Sequence, residues 1–97
     1  MKIKIALCDD DKRALPVIAG AVESAFGVNG IQPEIEKFTS GEKLLEATAQ
    51  TRYQLLLLDI EMPGMDGIAV GKQLRARGDE TMIVYISEAE SRVFESF

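Results

Sequence analysis

Four consecutive leucines at positions 55–58 predict a β-strand that is buried on both faces, as in a parallel sheet that helices cover on each side. Apolar runs also predict a first strand over Ile3–Cys8 and a fourth over Thr81–Ser87. A shorter second strand is predicted around Pro33–Phe38, where Ile35 alternates with glutamates in the pattern of an exposed edge. The pattern therefore indicates a sheet built from four strands.

Between the strands, apolar residues return with helical spacing. The first helix is predicted to follow Asp11, whose side chain can cap it, and to end near Gly27. Its apolar face has i, i+3, i+4 and i+7 spacing and consists of Leu15, Ile18, Ala19, Val22 and Phe26. Because Pro16 has no backbone N–H, we expect it to bend this helix or to weaken its first turns. The pair Asn29-Gly30 predicts the turn into the second strand.

Two further helices continue the alternation. Ser40 is predicted to cap a helix that runs to about Gln50. The next helix is predicted over Ile68–Arg77 despite Gly71, with Gly78 closing it. A regular order of strand and helix implies a parallel sheet with right-handed crossovers and helices on both faces.

Acidic residues stand at the ends of two predicted strands. The first strand runs into Asp9-Asp10-Asp11, and the leucine strand runs into Asp59. In sheets of this kind, chemistry collects just past the carboxyl ends of the strands. If the two strands are neighbours, several carboxylates converge there, and such oxygen ligands suit a hard cation such as Mg²⁺. Taken alone, the aspartate triplet is more typical of a helix cap with solvated neighbours, and the residues after Asp59 are equally typical of an ordinary turn.

Three segments together resemble the receiver domain of two-component response regulators. They are Leu7-Cys8-Asp9-Asp10-Asp11, then Leu57-Leu58-Asp59-Ile60-Glu61-Met62-Pro63-Gly64-Met65-Asp66-Gly67, then Met82-Ile83-Val84-Tyr85-Ile86-Ser87. The resemblance covers the whole chain in the right order. It implies an α/β, flavodoxin-like three-layer sandwich with strand order 2-1-3-4-5 in the complete domain. The segment from Ser87 to Phe97 further resembles receivers that are attached to LytTR-type DNA-binding domains.

The resemblance also implies a role for each site residue. Asp59 accepts a phosphoryl group from a histidine kinase, and Asp10 and Asp59 hold Mg²⁺ through their side chains. Asp9 orients the metal directly or through water, and the backbone carbonyl of Glu61 completes the protein ligands. The hydroxyl of Ser87 contacts the phosphoryl group and couples its presence to a shift of the loop after the fourth strand. The domain is thus expected to be a signalling module and not an enzyme.

The C-terminal end departs from the family pattern. We expect residues 88–97 to begin a fourth helix, so the fifth strand, and with it the lysine that pairs with the phosphoryl group, is absent from this receiver domain of residues 1–97. An open edge on the fourth strand is then expected to lower the stability or to favour self-association. Glu88 follows Ser87 where the family usually has a small residue. Its carboxylate would repel an incoming phosphate if it pointed inward.

Composition fits one small cytoplasmic domain. The chain has 97 residues, 46% of them hydrophobic and 28% charged, and it shows neither a signal peptide nor an apolar run long enough to span a membrane. The net charge of -5 argues against direct contact with nucleic acid, so an attached output domain would bind DNA. Cys8 is expected to be a reduced core residue. The resemblance leaves a homodimer open, because the family's dimer face uses the missing elements.

Three other kinds of protein share features with this chain. A haloacid-dehalogenase type enzyme also uses an aspartate nucleophile with Mg²⁺, but it needs a second aspartate where this chain has Glu61. A phosphate-binding P-loop fails because the segment from Gly67 to Gln73 has the wrong glycine spacing. A pseudo-receiver, which has the fold but binds a protein partner without being phosphorylated, is the main alternative.

Overall fold

Strands and helices alternate along the chain up to the fourth strand, as the apolar pattern predicts. The computed structural model describes residues 2–87 in full and residues 92–96 by their backbone. In chain order, its elements are β1 (Lys4–Cys8), α1 (Ala14–Gly27), β2 (Glu34–Phe38), α2 (Gly41–Gln50), β3 (Leu55–Asp59), α3 (Gly67–Ala76), β4 (Met82–Ser87) and β5 (Arg92–Ser96).

The strands form one sheet in the order β2-β1-β3-β4-β5. The pairs β1–β2, β1–β3 and β3–β4 are parallel, so the predicted parallel sheet with order 2-1-3-4 is confirmed. The predicted edge position of β2 is confirmed as well. Since β1 and β3 are neighbours, with Cys8 paired to Leu58, their carboxyl ends meet at one rim of the sheet.

Helices cover both faces of this sheet and produce two hydrophobic layers. Leu56 and Leu58 of β3 pack with Leu44 of α2 and Leu74 of α3. On the other face, Leu57 packs in a cluster that contains the α1 residues Leu15 and Ala19. The leucine strand is therefore buried on both faces, as predicted. No helix in the described part of the chain is both long and apolar enough to cross a membrane.

The start of α1 differs from two expectations. Asp11 does not cap the helix, because the N-cap position is Arg13 and no side chain caps it. The Asp11 carboxylate instead accepts a hydrogen bond from the Arg13 N–H at 2.9 Å, in a turn before the helix. Pro16 is consequently the third residue of α1. A backbone N–H at this position has no partner within the helix, so the proline sacrifices no hydrogen bond there.

The C-terminal segment also differs from expectation. Residues 92–96 are a strand and not the beginning of a helix, and they pair with β4 in antiparallel orientation, with Ser87 opposite Arg92. The expected open edge of β4 is therefore wrong, because β5 satisfies it and becomes the edge itself. This antiparallel strand is distinct from the parallel fifth strand that the resemblance implies for a complete domain. Glu88 and Phe97 lie outside the described residues.

Candidate phosphoryl and metal site

Three carboxylates meet at the rim where β1 and β3 end. Asp9 and Asp10 directly follow β1, and Asp59 is the last residue of β3. Because Cys8 and Leu58 are paired in the sheet, the next residue on each strand projects from the same edge. Each of the three aspartates offers a carboxylate oxygen, and these oxygens lie within 4.8 Å of one another. We refer to Asp9, Asp10 and Asp59 as the acidic cluster.

Burial makes this cluster electrostatically unusual. Asp9 is 1% exposed and Asp59 is 3% exposed, whereas Asp10 is open to solvent. One oxygen of Asp9, Oδ1, accepts a hydrogen bond from the Asp11 N–H at 2.9 Å. The other, Oδ2, is buried and has no hydrogen-bond partner among the described residues. A buried carboxylate oxygen without a donor is costly unless a cation satisfies it, so the cluster fits a hard divalent ion such as Mg²⁺.

The connection from β3 to α3, residues 60–66, holds Asp59 in place. The backbone N–H of Glu61 donates to Asp59 Oδ1 at 3.1 Å, and Gly64 has a left-handed φ of 76°, which glycine adopts without strain. At the end of this β3–α3 loop, Asp66 caps α3 by accepting from the Ala69 N–H at 2.8 Å. Asp66 is thus the N-cap residue of α3. The role of the Glu61 carbonyl as a metal ligand stays a prediction.

Ser87 ends β4 on the same side of the sheet. Its neighbour Ile86 pairs with Asp59, and the Ile86 carbonyl accepts from the Ile60 N–H at 2.9 Å. This pairing places half-buried Ser87 one residue beyond the level of Asp59. The expected convergence of the ends of β1 and β3 at one rim is confirmed, and β4 ends at the same rim. The switch role of Ser87 stays a prediction.

Cys8 lies beneath the acidic cluster. It is fully buried and free, as predicted, and its thiol donates to the Met62 sulfur at 3.6 Å. Burial is the main cause that raises the pKa of the Cys8 thiol from 9.0 to about 12, and the negative charges of Asp9 and Asp59 raise it further. At neutral pH this sulfur is therefore an uncharged packing group and not a nucleophile.

The sequence interpretation missed two side chains around the site. Glu42, in the first turn of α2, reaches the β3–α3 loop: its Oε2 lies 3.6 Å from the position that a Cβ atom on Gly64 would take. Tyr85 of β4 fills the space beside Gly71 of α3. The only sequence signal was a glycine inside a helix, which often marks a close contact. For Glu42 there was no signal.

A cleft of about 740 Å³ lies away from this chemistry. It is formed by the connections that lead into β3 and β4, including Arg52, Gln54, Asp79 and Thr81. These connections are at the amino ends of parallel strands, opposite the rim that carries the acidic cluster. The cleft is therefore separate from the candidate site.

Comparison with known proteins points to one family. The family described as response regulator receiver domain matches residues 5–95. Response regulator MprA from Mycobacterium ulcerans (strain Agy99) is 31% identical over 91 residues, which are 94% of this chain and 37% of that protein. The chain thus spans little more than a third of the length of this relative.

Solved structures agree with this result. The Francisella response regulator 1452 receiver domain has a TM-score of 0.67 and 29% identity, covering 92% of this chain and 69% of that one. Response regulator TrrA from Thermotoga maritima, solved in complex with Mg(2+)-BeF, has a TM-score of 0.68 and 28% identity, covering 88% and 69%. DrrB of Thermotoga maritima, an OmpR/PhoB homologue, has a TM-score of 0.73 at 22% identity, covering 90% and 36%, and so supports the fold alone. These relatives give no support to the LytTR-type interpretation.

Proposed function

Because this chain belongs to the family of response regulator receiver domains, we propose that it takes a phosphoryl group from a histidine kinase onto Asp59. Such a receiver is a signalling domain and not a classical enzyme. The single observation that carries the proposal is the acidic cluster, in which buried Asp59 lies with Asp9 and Asp10 at the carboxyl rim of the sheet. A strand-end turn residue would not need two further carboxylates within 4.8 Å.

In the proposed reaction, a carboxylate oxygen of Asp59 attacks the phosphorus of a phosphohistidine. The P–N bond to the donor breaks, a P–O bond to Asp59 forms, and the donor histidine leaves as a neutral imidazole after it takes up a proton. The product is a mixed anhydride. The Glu61 N–H, which already donates to Asp59 Oδ1, orients the nucleophile for this attack.

The cluster needs positive charge for this step, because the attacking carboxylate and the phosphoryl group are both anionic. Asp10 and Asp59 would hold Mg²⁺ by their side chains, Asp9 would hold it directly or through water, and the Glu61 carbonyl would complete the protein ligands. A bound Mg²⁺ supplies the charge that lets the two anionic groups approach. Support comes from the unpartnered Asp9 Oδ2 and from relative TrrA, whose structure contains Mg²⁺.

Ser87 is the proposed link to output. Its hydroxyl would donate to a phosphoryl oxygen on Asp59 and so draw the end of β4 toward the site. We propose that the domain works in the cytoplasm and switches an attached output domain that binds DNA. The length of the MprA relative, of which this chain covers 37%, leaves room for such a domain. We also propose a second copy of this chain as a partner, in a homodimer.

The test uses acetyl phosphate with Mg²⁺, followed by intact mass measurement. Wild type should gain one phosphoryl group, and EDTA should prevent the gain. Asp59→Asn should take none while it keeps the wild-type circular dichroism spectrum, because the substitution is nearly isosteric. Asp66→Asn is the matched control: it removes a carboxylate from the same loop, yet asparagine still caps a helix, so labelling should persist.

Two outcomes would change the assignment. Label retained by Asp59→Asn would show that another residue is the acceptor. A folded wild-type chain that takes no label would favour the pseudo-receiver, a protein-binding module with this fold but without phosphorylation.

A further inference from the structure

Glu42 lies beside the loop that carries Asp59, although it belongs to a different element. It occupies the first turn of α2, which follows the edge strand β2. Its Oε2 atom is 3.6 Å from the position of a Cβ on Gly64, so the carboxylate lies alongside the β3–α3 loop. The residue before Glu42, Gly41, lies against the same loop, since a Cβ on Gly41 would be 2.9 Å from the Met65 carbonyl oxygen. Glu42 therefore adds a fourth negative charge to the surroundings of the acidic cluster.

The side chain has one structural role, a favourable interaction with the positive end of the α2 dipole, because it lies in the first turn of that helix. Glu42 is exposed, and among residues 2–87 neither of the two ion pairs includes it. The helix it occupies is already capped by Ser40, which accepts from the Lys43 N–H at 3.2 Å. An exposed carboxylate without a cation partner influences its surroundings through its charge. That influence depends on the charge of the arriving species.

Resting on the proposed function, we propose that Glu42 is a specificity-determining residue that favours the cation and disfavours free anionic phosphodonors at the acidic cluster. A negative charge beside the rim attracts Mg²⁺ and repels a small donor such as acetyl phosphate. A donor group presented by a docked protein is less affected, because contacts elsewhere hold it in place. The residue thus lowers the rate at which small metabolic phosphodonors label Asp59 relative to a kinase.

The size of the effect follows from Coulomb's law. In water, one charge about 10 Å from a divalent cation changes its binding by about two- to fourfold. At physiological ionic strength the Debye length is about 8 Å, and most of this effect disappears. Glu42→Gln should therefore weaken Mg²⁺ binding by about two- to fourfold at low salt. At saturating Mg²⁺, the same variant should be labelled by acetyl phosphate faster by a similar factor.

These opposite changes distinguish a charge effect from a structural one. Damage to the loop would both weaken cation binding and slow labelling. Loss of the charge alone should weaken cation binding but speed labelling. Phosphoramidate carries less negative charge than acetyl phosphate, so its labelling rate should rise less. Glu42→Asp keeps the charge and should behave like wild type.

The experiment compares wild type, Glu42→Gln, Glu42→Asp and Glu46→Gln. Glu46 is exposed on the same helix one turn farther along, and it borders a different depression, with Phe38 and Gln50. Its substitution removes the same charge away from the loop. Mg²⁺ affinity is measured by calorimetry, labelling rate by intact mass with each donor, and both are repeated at low and high salt. Circular dichroism verifies that α2 is intact.

We expect the opposing changes in Glu42→Gln alone, and we expect high salt to abolish them. If wild type is labelled but Glu42→Gln matches Glu46→Gln in cation affinity and in both labelling rates, this inference is overturned while the proposed function stands. A parallel loss of affinity and rate would also overturn it. A wild-type chain that takes no label would overturn the proposed function, and this inference with it.

Discussion

Gly67 lies directly against the backbone carbonyl oxygen of Asp59, with no room for a side chain between them. A Cβ on Gly67 would collide with that oxygen and would come within 3.2 Å of the Ile60 Cα. The first residue of α3 is therefore packed onto the backbone of the proposed phosphoacceptor. This contact, and not only the conformational freedom of glycine, requires the smallest residue at the helix start.

Gly67→Ala should accordingly damage both stability and labelling. Either α3 or the end of β3 must move, and such overpacking costs about 1–3 kcal/mol. Chemical unfolding should show this loss, and the rate of labelling by acetyl phosphate should fall. Gly20→Ala is the control, because nothing lies within 4 Å of a Cβ at that position of α1. Since alanine favours helix by about 1 kcal/mol over glycine, this control should be as stable as wild type or more so.

A second glycine of α3 contacts β4. The hydroxyl of Tyr85 occupies the place where a Cβ of Gly71 would be, while the Tyr85 Cζ is 3.1 Å from that place. Gly71→Ala should therefore destabilise the wild-type chain by about 1–3 kcal/mol. Tyr85→Phe removes the oxygen and should relieve most of the collision.

A double-mutant cycle measures this contact. In the Tyr85→Phe background, Gly71→Ala should cost little, and the interaction energy should be at least about 1 kcal/mol. Unfolding in urea of the four proteins supplies the four free energies. Additive effects of the two substitutions would show that the helix and the tyrosine adjust separately.

Much of the fold was predictable because its signals are local. The leucine strand, the Ser40 cap and the apolar face of α1 all act within one element, so the sequence pattern identifies them. The acidic cluster was predictable for a related reason: parallel strands end at a common rim, and Asp9 and Asp59 both follow apolar runs. That the first and third strands are neighbours followed from the resemblance to receiver domains, which implies the strand order 2-1-3-4-5.

What could not be predicted depends on contacts between elements. Nothing near Gly71 in the sequence shows that Tyr85 ends against it, and nothing near Glu42 points to Gly64. The Asp11 error has a similar origin, because an Asx-type turn and a helix cap use the same side chain and differ by two residues in where α1 begins. At the C-terminal end, residues 92–96 pair with β4, and this tertiary pairing overrode the expected helix.

Mg²⁺ should stabilise the protein through the acidic cluster. The three carboxylates repel one another, and the buried Asp9 Oδ2 has no donor, so a cation that binds only the folded chain raises the free energy of unfolding. At ten times its Kd the gain should be about 1.4 kcal/mol, and EDTA should reverse it. Thermal unfolding with increasing MgCl₂ measures this gain, with CaCl₂ and NaCl as comparisons.

Asp10→Asn separates cation binding from apo stability. Asp10 is exposed, and the substitution removes one repelling charge, so the metal-free protein should be as stable as wild type or more so. Its stabilisation by Mg²⁺ should be much weaker. A clear loss of stability without metal would instead assign Asp10 a structural hydrogen-bonding role.

Cys8 makes the stability depend on pH in the alkaline range. Its thiol has a pKa of about 12 in the folded protein against 9.0 as its ordinary value. The folded state therefore holds its proton more tightly, so this contribution is fully present below pH 9 and is lost as pH rises toward 12. The stability advantage of wild type over Cys8→Ala should shrink by about 1 kcal/mol between pH 8 and pH 10. Tyr53, whose pKa burial also raises, is common to both proteins and cancels in the difference.

The same burial predicts the reactivity of the Cys8 thiol. The thiolate is the form of cysteine that reacts with a disulfide reagent. At pH 8 the native protein should therefore react only as fast as it unfolds, whereas the protein unfolded in urea should react at once. Adding Mg²⁺ should slow the reaction of the native thiol further, since the cation makes unfolding rarer. A fast reaction of the native thiol with the reagent, unaffected by Mg²⁺, would contradict a buried, uncharged thiol beneath the acidic cluster.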